Sequence, residues 1–148
     1  MNWWSYILRY GVAKIGAVLL YSGDEGTGKG IGVIDFMGKS IIGRRYSFFA
    51  TDLKRFIGKF SAHRANKILV VFNECLDVTK GNSADFDKVK SMITDTEYAH
   101  EAKHKSVHMR EENSAFVFLS NWATCVRIGN GDRRYAIMDI NDAKKGDH

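Results

Sequence analysis

The most informative part of this sequence is a glycine-rich stretch that comprises Gly23, Asp24, Glu25, Gly26, Thr27, Gly28, Lys29 and Gly30. It fits the pattern G-x-x-x-x-G-K and lies between an apolar run at 17–21 and a segment with apolar residues at helical spacing. In such a strand–loop–helix unit, backbone N–H groups surround phosphate oxygens and the helix directs its positive end at them. The stretch therefore predicts a nucleotide phosphate loop in which Lys29 contacts the β- and γ-phosphates.

The residue after Lys29 departs from the usual pattern. Phosphate loops carry a serine or threonine at this position, and its hydroxyl binds Mg²⁺. This chain has Gly30 there, which has no side chain. The alternative interpretation of the whole stretch is a glycine-rich turn with a chance lysine.

Two later apolar runs end in polar side chains. Residues 68–72 predict a buried strand that is followed by Asn73 and Glu74. Residues 116–119 predict another strand, and Asn121 follows it closely. In an open α/β sheet such side chains emerge beside the ligand at the carboxyl edge. We expect Glu74 to polarise the attacking water and Asn121 to orient water against the γ-phosphate. We expect Asn73 to accept a hydrogen bond from a Mg²⁺-bound water.

Two adjacent arginines, Arg133 and Arg134, precede the last apolar run. Neighbouring arginines usually form part of a solvated surface. An arginine finger, however, needs this planar and permanently charged donor for transition-state oxygens.

The remaining periodicity predicts an α/β architecture. Helices are expected at 2–10, from 29 onward, at 51–60 and at 83–93, and strands at 17–21, 68–72, 116–119 and 135–140. Strands that alternate with helices favour a mainly parallel sheet. Because no proline, linker or repeat marks a boundary, residues 1–148 are expected to form a single domain.

Composition excludes several classes of protein. With 45% hydrophobic and 26% charged residues, the chain is typical of globular rather than disordered proteins. The apolar stretch at 15–21 is far shorter than the ~20 residues that cross a bilayer, so no membrane partner is expected. Two cysteines, Cys75 and Cys125, are too few for a disulfide scaffold. The net charge of +5 permits an anionic partner such as nucleic acid.

The glycine loop, Asn73 with Glu74, Asn121, and the arginine pair, in this order, resemble the superfamily 3 helicases. The similarity is to the ATPase core of viral and phage primase-helicases of the poxvirus type, and it extends from residue 15 to about residue 140. It implies a P-loop NTPase of AAA+ type with a three-layer core, which uses ATP and Mg²⁺. It also implies a ring of six subunits that moves 3′ to 5′ along single-stranded DNA in viral or phage replication.

The resemblance further implies roles for particular residues. Lys29 binds phosphate, Glu74 is catalytic, Asn121 is the sensor, and Arg133 or Arg134 acts across the subunit interface. A hairpin within 94–110 grips the DNA backbone through Lys103 and Lys105; the alternative is an ordinary exposed charged loop. Relatives carry a primase region before the core and helices after it, so the chain is expected to be a fragment. Such proteins work with other replication proteins in the cytoplasm or at a viral replication site.

Two other functions stay open. His100, Glu101 and His104 match H-E-x-x-H, which on a helix binds zinc and identifies a metallopeptidase. Lys103 between the histidines and Lys105 after them argue against that interpretation. The second alternative is a degenerate P-loop module that binds nucleotide or DNA without turnover. It is motivated by Gly30 and Asn73, which remove both usual contacts on the metal side.

Overall fold

Five parallel strands form the central sheet, in the spatial order β2-β3-β6-β1-β7. They are β1 (Ala17–Tyr21), β2 (Ser47–Ala50), β3 (Leu69–Phe72), β6 (Ala115–Ser120) and β7 (Tyr135–Asp139). The computed structural model describes residues 2–11, 16–21, 24–51, 56–57, 65–74, 83–101, 106–122, 125–126 and 128–141. In the sheet, β6 separates β1 from β3, and β7 lies on the other side of β1.

In the described part of the chain, three helices accompany the sheet: α1 (Trp3–Tyr10), the π-helical α2 (Ile31–Gly43) and α3 (Ser83–Thr94). The side chain of Asn2 caps α1, because its Oδ1 accepts a hydrogen bond from the Ser5 N–H at 2.8 Å. Between α3 and β6, strands β4 (Glu97–His100) and β5 (His108–Glu111) pair as an antiparallel hairpin. No helix in the described part of the chain has the length and apolarity needed to span a bilayer.

The core has two halves, one on each face of the sheet. Along β3, Leu69 and Val71 face a cluster with Val33 of α2, against which Trp3 and Trp4 of α1 pack. Val70 and Phe72 face the other cluster, which contains Val89, Met92 and Ile93 of α3. Because both faces are covered, β3 and β6 are buried along their whole length, as is typical of parallel strands. The result is a three-layer arrangement of helix, sheet and helix.

Most predicted elements are confirmed. The helices at 2–10 and 83–93, the helix from residue 29, and all four strands agree with the structure to within about two residues. The hairpin expected within 94–110 is also present. Strand β2 was not predicted, since its four residues are too few to give a periodicity of their own. The helix expected at 51–60 lies largely outside the described residues; of its apolar face, Phe56 is buried in the core.

Candidate functional site

The glycine loop and the polar ends of β3 and β6 meet at the carboxyl edge of the sheet. The parallel register pairs Tyr21 with Ser120 and Phe72 with Phe118, so β1, β3 and β6 all end at this edge. The described part of the glycine loop, residues 24–30, follows β1. Asn73 and Glu74 follow β3, and Asn121 follows β6. Gly23 lies outside the described residues.

A direct contact joins the loop to β6. The Lys29 Nζ donates a hydrogen bond to the Oδ1 of Asn121 and a longer one, at 3.4 Å, to the backbone carbonyl of Asp24. Burial lowers the pKa of Lys29, and the negative charge of Glu25 opposes that shift. Because both acceptors are neutral oxygens, the ammonium charge stays available to an anion at the loop.

Two glycines give the loop backbone left-handed turns. Gly26 and Gly28 have φ values of 75° and 78°, a left-handed region that side chains rarely adopt. Apart from the adjoining backbone, no atom of the described residues lies within 4 Å of where a Cβ on Gly28 or Gly30 would stand, so the loop is open there. The Thr27 hydroxyl oxygen is buried and has no hydrogen-bond partner in the described part of the chain. The helix that follows starts at the loop, with the Gly32 N–H bonded to the Gly28 carbonyl at 2.9 Å. These features fit a bound phosphate group.

The metal side of the site is sparse in protein ligands. Gly30 supplies no hydroxyl, and the side chain of Asn73 supplies a neutral amide. The backbone N–H of Asn73 donates a hydrogen bond to the Ala50 carbonyl at 2.8 Å. Among the described residues no group of three His, Cys, Asp or Glu side chains could hold a metal ion. Mg²⁺ commonly keeps several waters and binds through substrate phosphates with few carboxylates. Asn73 is therefore suited to hold such an ion through a water.

Glu74 has an unusual backbone. Its φ is 58°, in the left-handed region that is uncommon for residues other than glycine, and its side chain is exposed. Strained conformations of this kind cost about 1–3 kcal/mol and concentrate at functional sites. The Glu74 side chain is therefore exposed to solvent directly after β3, at the edge where the glycine loop follows β1.

The two arginines lie elsewhere. They precede β7, whose first residue Tyr135 pairs with Ala17 at the start of β1. They therefore lie at the amino edge of the sheet, opposite the glycine loop. Five residues of β1 separate the two edges, which is roughly 16 Å at ~3.3 Å per residue. The structure does not bring Arg133 or Arg134 to the loop of their own chain.

Arg134 and Arg133 also differ from each other. The Arg134 guanidinium binds the Asp132 carboxylate through two bonds, Nε to Oδ1 at 2.8 Å and Nη2 to Oδ2 at 3.0 Å. These bonds lower the pKa of Asp132 and raise that of Arg134. The backbone carbonyl of Arg134 in turn accepts the Ala17 N–H at 2.7 Å. Arg133 is exposed and makes no ion pair in the described part of the chain.

The structure contradicts a helical H-E-x-x-H site at its first residue. His100 is the last residue of strand β4 and pairs across the hairpin with His108, so it does not lie on a helix. The His100 and His108 rings lie 4.9 Å apart. His104, Lys103 and Lys105 lie outside the described residues, so the DNA contact of the two lysines stays a prediction.

Comparison with known proteins gives a family and a phage relative. A family described as "Family of unknown function (DUF5906)" matches residues 20–134. A DNA primase-polymerase of Nitratiruptor phage NrS-1 is 29% identical over 147 residues, which are 98% of this chain and 20% of that protein. The chain therefore spans about a fifth of its curated relative.

Solved structures show the same fold. The apo C-terminal region of the NrS-1 protein superposes with a TM-score of 0.81 at 26% identity, over 98% of this chain and 34% of that one. A JCV helicase with a bound inhibitor superposes with a TM-score of 0.57 at 13% identity, over 92% of this chain and 38% of that one. The similarity to the JCV helicase concerns the fold alone. Since the family match extends from the end of β1 to the residue before β7 and includes the whole glycine loop, the chain belongs to the family DUF5906.

Proposed function

We propose that this chain is the P-loop ATPase core, of AAA+ type, of a superfamily 3 helicase that acts in phage or viral DNA replication. The observation that carries the proposal is the convergence of three segments at the carboxyl edge of one parallel sheet. These segments are the glycine loop, Asn73 with Glu74, and Asn121, whose amide contacts Lys29. Ligands of open α/β proteins bind at this edge.

The comparisons support a role in replication. The phage relative is a DNA primase-polymerase, and the chain resembles the C-terminal region of that protein. The JCV helicase provides a second, more distant fold of the same kind. An ATPase core within a longer replication protein accounts for both similarities.

In the proposed reaction, the backbone N–H groups of the glycine loop and the Lys29 ammonium hold the β- and γ-phosphates of ATP. Glu74 accepts a proton from a water molecule. The oxygen of that water attacks the γ-phosphorus, and the bond between the γ-phosphorus and the bridging β-phosphate oxygen breaks, which releases ADP. Asn121 orients that water from the end of β6. Mg²⁺, held by the nucleotide phosphates and through water by Asn73, would neutralise developing charge.

In this proposal, a neighbouring subunit supplies a further positive charge to the γ-phosphate. Arg133 acts on the γ-phosphate bound by the next subunit, because it lies at the sheet edge opposite its own loop. A contact between opposite edges of successive subunits is head-to-tail, which closes into a ring when the rotation permits. We propose six subunits around single-stranded DNA, with Lys103 and Lys105 of the hairpin on its phosphates. The primase region and other replication proteins are the proposed partners, in the cytoplasm of the infected cell or at a viral replication site.

A second candidate is a module that binds nucleotide or DNA without hydrolysing ATP. This candidate is favoured by the residues on the metal side: Gly30 has no hydroxyl, and Asn73 has an amide where a carboxylate is usual. The two candidates share the phosphate loop and differ only in turnover.

Replacing Lys29 with alanine should abolish measurable ATP binding, because the loop loses the side-chain charge directed at the β- and γ-oxygens. Isothermal titration with ATP and Mg²⁺ measures this directly. Lys39→Ala is the matched control, since Lys39 lies on α2 and is already paired with Asp35. Wild-type affinity in the Lys29 variant would refute the phosphate-loop assignment and with it the proposed function.

A further inference from the structure

The turn between α2 and β2 carries a compact group of positive charges. Gly43 ends α2 with a φ of 92°, and the exposed residues Arg44, Arg45 and Tyr46 follow it. Lys67, which precedes β3, lies beside this turn and donates a hydrogen bond from Nζ to the Arg45 carbonyl at 2.7 Å. We call Arg44, Arg45, Tyr46 and Lys67 the basic turn cluster. Since β2 and β3 are parallel to β1, the cluster lies at the amino edge of the sheet, opposite the glycine loop.

The backbone of the cluster is held by hydrogen bonds to the sheet. The Tyr46 N–H bonds to the Gly43 carbonyl at 3.1 Å, which closes the turn. The Tyr46 carbonyl accepts the N–H groups of Ile68 and Leu69 at 2.8 and 3.2 Å. The two segments that carry the cations are therefore fixed relative to each other, which reduces the entropy lost when a ligand binds.

Among the described residues, no acidic side chain neutralises the positive charges of the cluster. Arg44, Arg45 and Lys67 form no ion pair in the part of the chain that the structure describes, whereas Lys39 pairs with Asp35 and Arg134 pairs with Asp132. The Arg45 guanidinium lies 5.7 Å from the centroid of the Tyr46 ring. Tyr46 is 41% exposed. Three cations without an acidic partner among the described residues, beside an exposed aromatic residue, suit a polymer that offers both phosphates and unpaired bases.

We propose that the basic turn cluster is a binding site for single-stranded DNA, separate from the hairpin lysines. Arg44, Arg45 and Lys67 contact backbone phosphates, and Tyr46 stacks on an unpaired base. A duplex would satisfy the cations but would offer no free base face to the ring. The choice of DNA as the polymer rests on the proposed function, whereas the charge and stacking chemistry is independent of ATP.

The test is fluorescence anisotropy with a labelled oligothymidylate, measured over a range of salt concentrations. The double variant Arg44→Ala/Arg45→Ala should bind more weakly, with the slope of log affinity against log salt reduced by about 0.7 for each lost cation. Tyr46→Leu should weaken binding roughly 5- to 150-fold through loss of stacking, worth ~1–3 kcal/mol per base, and should leave the slope unchanged.

A matched control exists on α1. There the Arg9 guanidinium lies 5.7 Å from the centroid of the Tyr10 ring, and Tyr10 is 48% exposed, but no second arginine adjoins the pair in the sequence. Arg9→Ala/Tyr10→Leu should therefore leave the affinity and the slope at their wild-type values. Thermal melts of each variant check that the fold is retained.

Wild-type affinity and slope in Arg44→Ala/Arg45→Ala would overturn the inference. Equal sensitivity of a duplex probe to Tyr46→Leu would overturn the stacking role and thus the preference for single strands. The variant Lys103→Ala/Lys105→Ala reports separately on the hairpin contact of the proposed function. Loss of slope in that variant alone would leave the proposed function intact while contradicting the basic turn cluster.

Discussion

Mixing two inactive variants, Glu74→Gln and Arg133→Ala, is expected to restore part of the ATPase activity. The reason is the position of Arg133 at the amino edge of the sheet, opposite the glycine loop of its own chain. In a mixed ring, a site with an intact Glu74 can receive Arg133 from a neighbour. An arginine finger supplied in trans is worth ~10³–10⁵ in rate in the GTPase example, so Arg133→Ala alone should have a large effect.

Arg134→Ala provides the contrast. Its guanidinium is bound to Asp132, and we expect its loss to destabilise the turn before β7 more than it slows hydrolysis. The measurements are phosphate release and thermal melting on assemblies whose size is verified by light scattering. If assembled mixtures regain no activity, Arg133 does not act in trans.

Glu74→Gln should retain ATP binding and lose turnover by ~10²–10⁴-fold, the usual contribution of general base catalysis. Glutamine keeps the size and the hydrogen-bonding capacity of the side chain but does not take the proton from water. Titration with ATP gives the affinity, and single-turnover phosphate release gives the rate.

Glu97→Gln is a suitable control for this prediction, because Glu97 is an exposed acid on β4, away from the sheet edge that holds the loop. Turnover near the wild-type rate in Glu74→Gln would assign the base to another acid. Asp77 is the next candidate, since it follows in the same segment.

The fold was predictable where strands are buried on both faces. Leu69–Phe72 and Ala115–Ser120 are continuous apolar runs because helices cover each side of the sheet. β2 is half exposed at Phe48 and Phe49 and only four residues long, so its pattern was too short to predict. The motif at 100–104, against which its lysines already argued, also shows how little five residues specify: their spacing fits a helix, yet His100 pairs across a hairpin.

The site was predictable in its location but not in its contacts. Polar residues after apolar runs indicated that Glu74 and Asn121 would lie near the glycine loop. The hydrogen bond from Lys29 to Asn121 joins residues 92 positions apart, so no local pattern reports it. Likewise, Arg44 and Arg45 form an ordinary basic pair in the sequence. Only the fold brings Lys67 beside them and reveals the absence of an acidic partner among the described residues.

ATP hydrolysis stimulated by single-stranded DNA is the most direct test of the central claim. The chain is incubated with ATP and Mg²⁺, with and without an oligothymidylate, and phosphate release is followed beside the Lys29→Ala variant. We expect phosphate release by the wild-type chain to rise with DNA and to disappear in the variant. ATP binding without DNA-dependent release would refute the proposed ATPase activity and would identify the chain as a module that binds nucleotide without turnover.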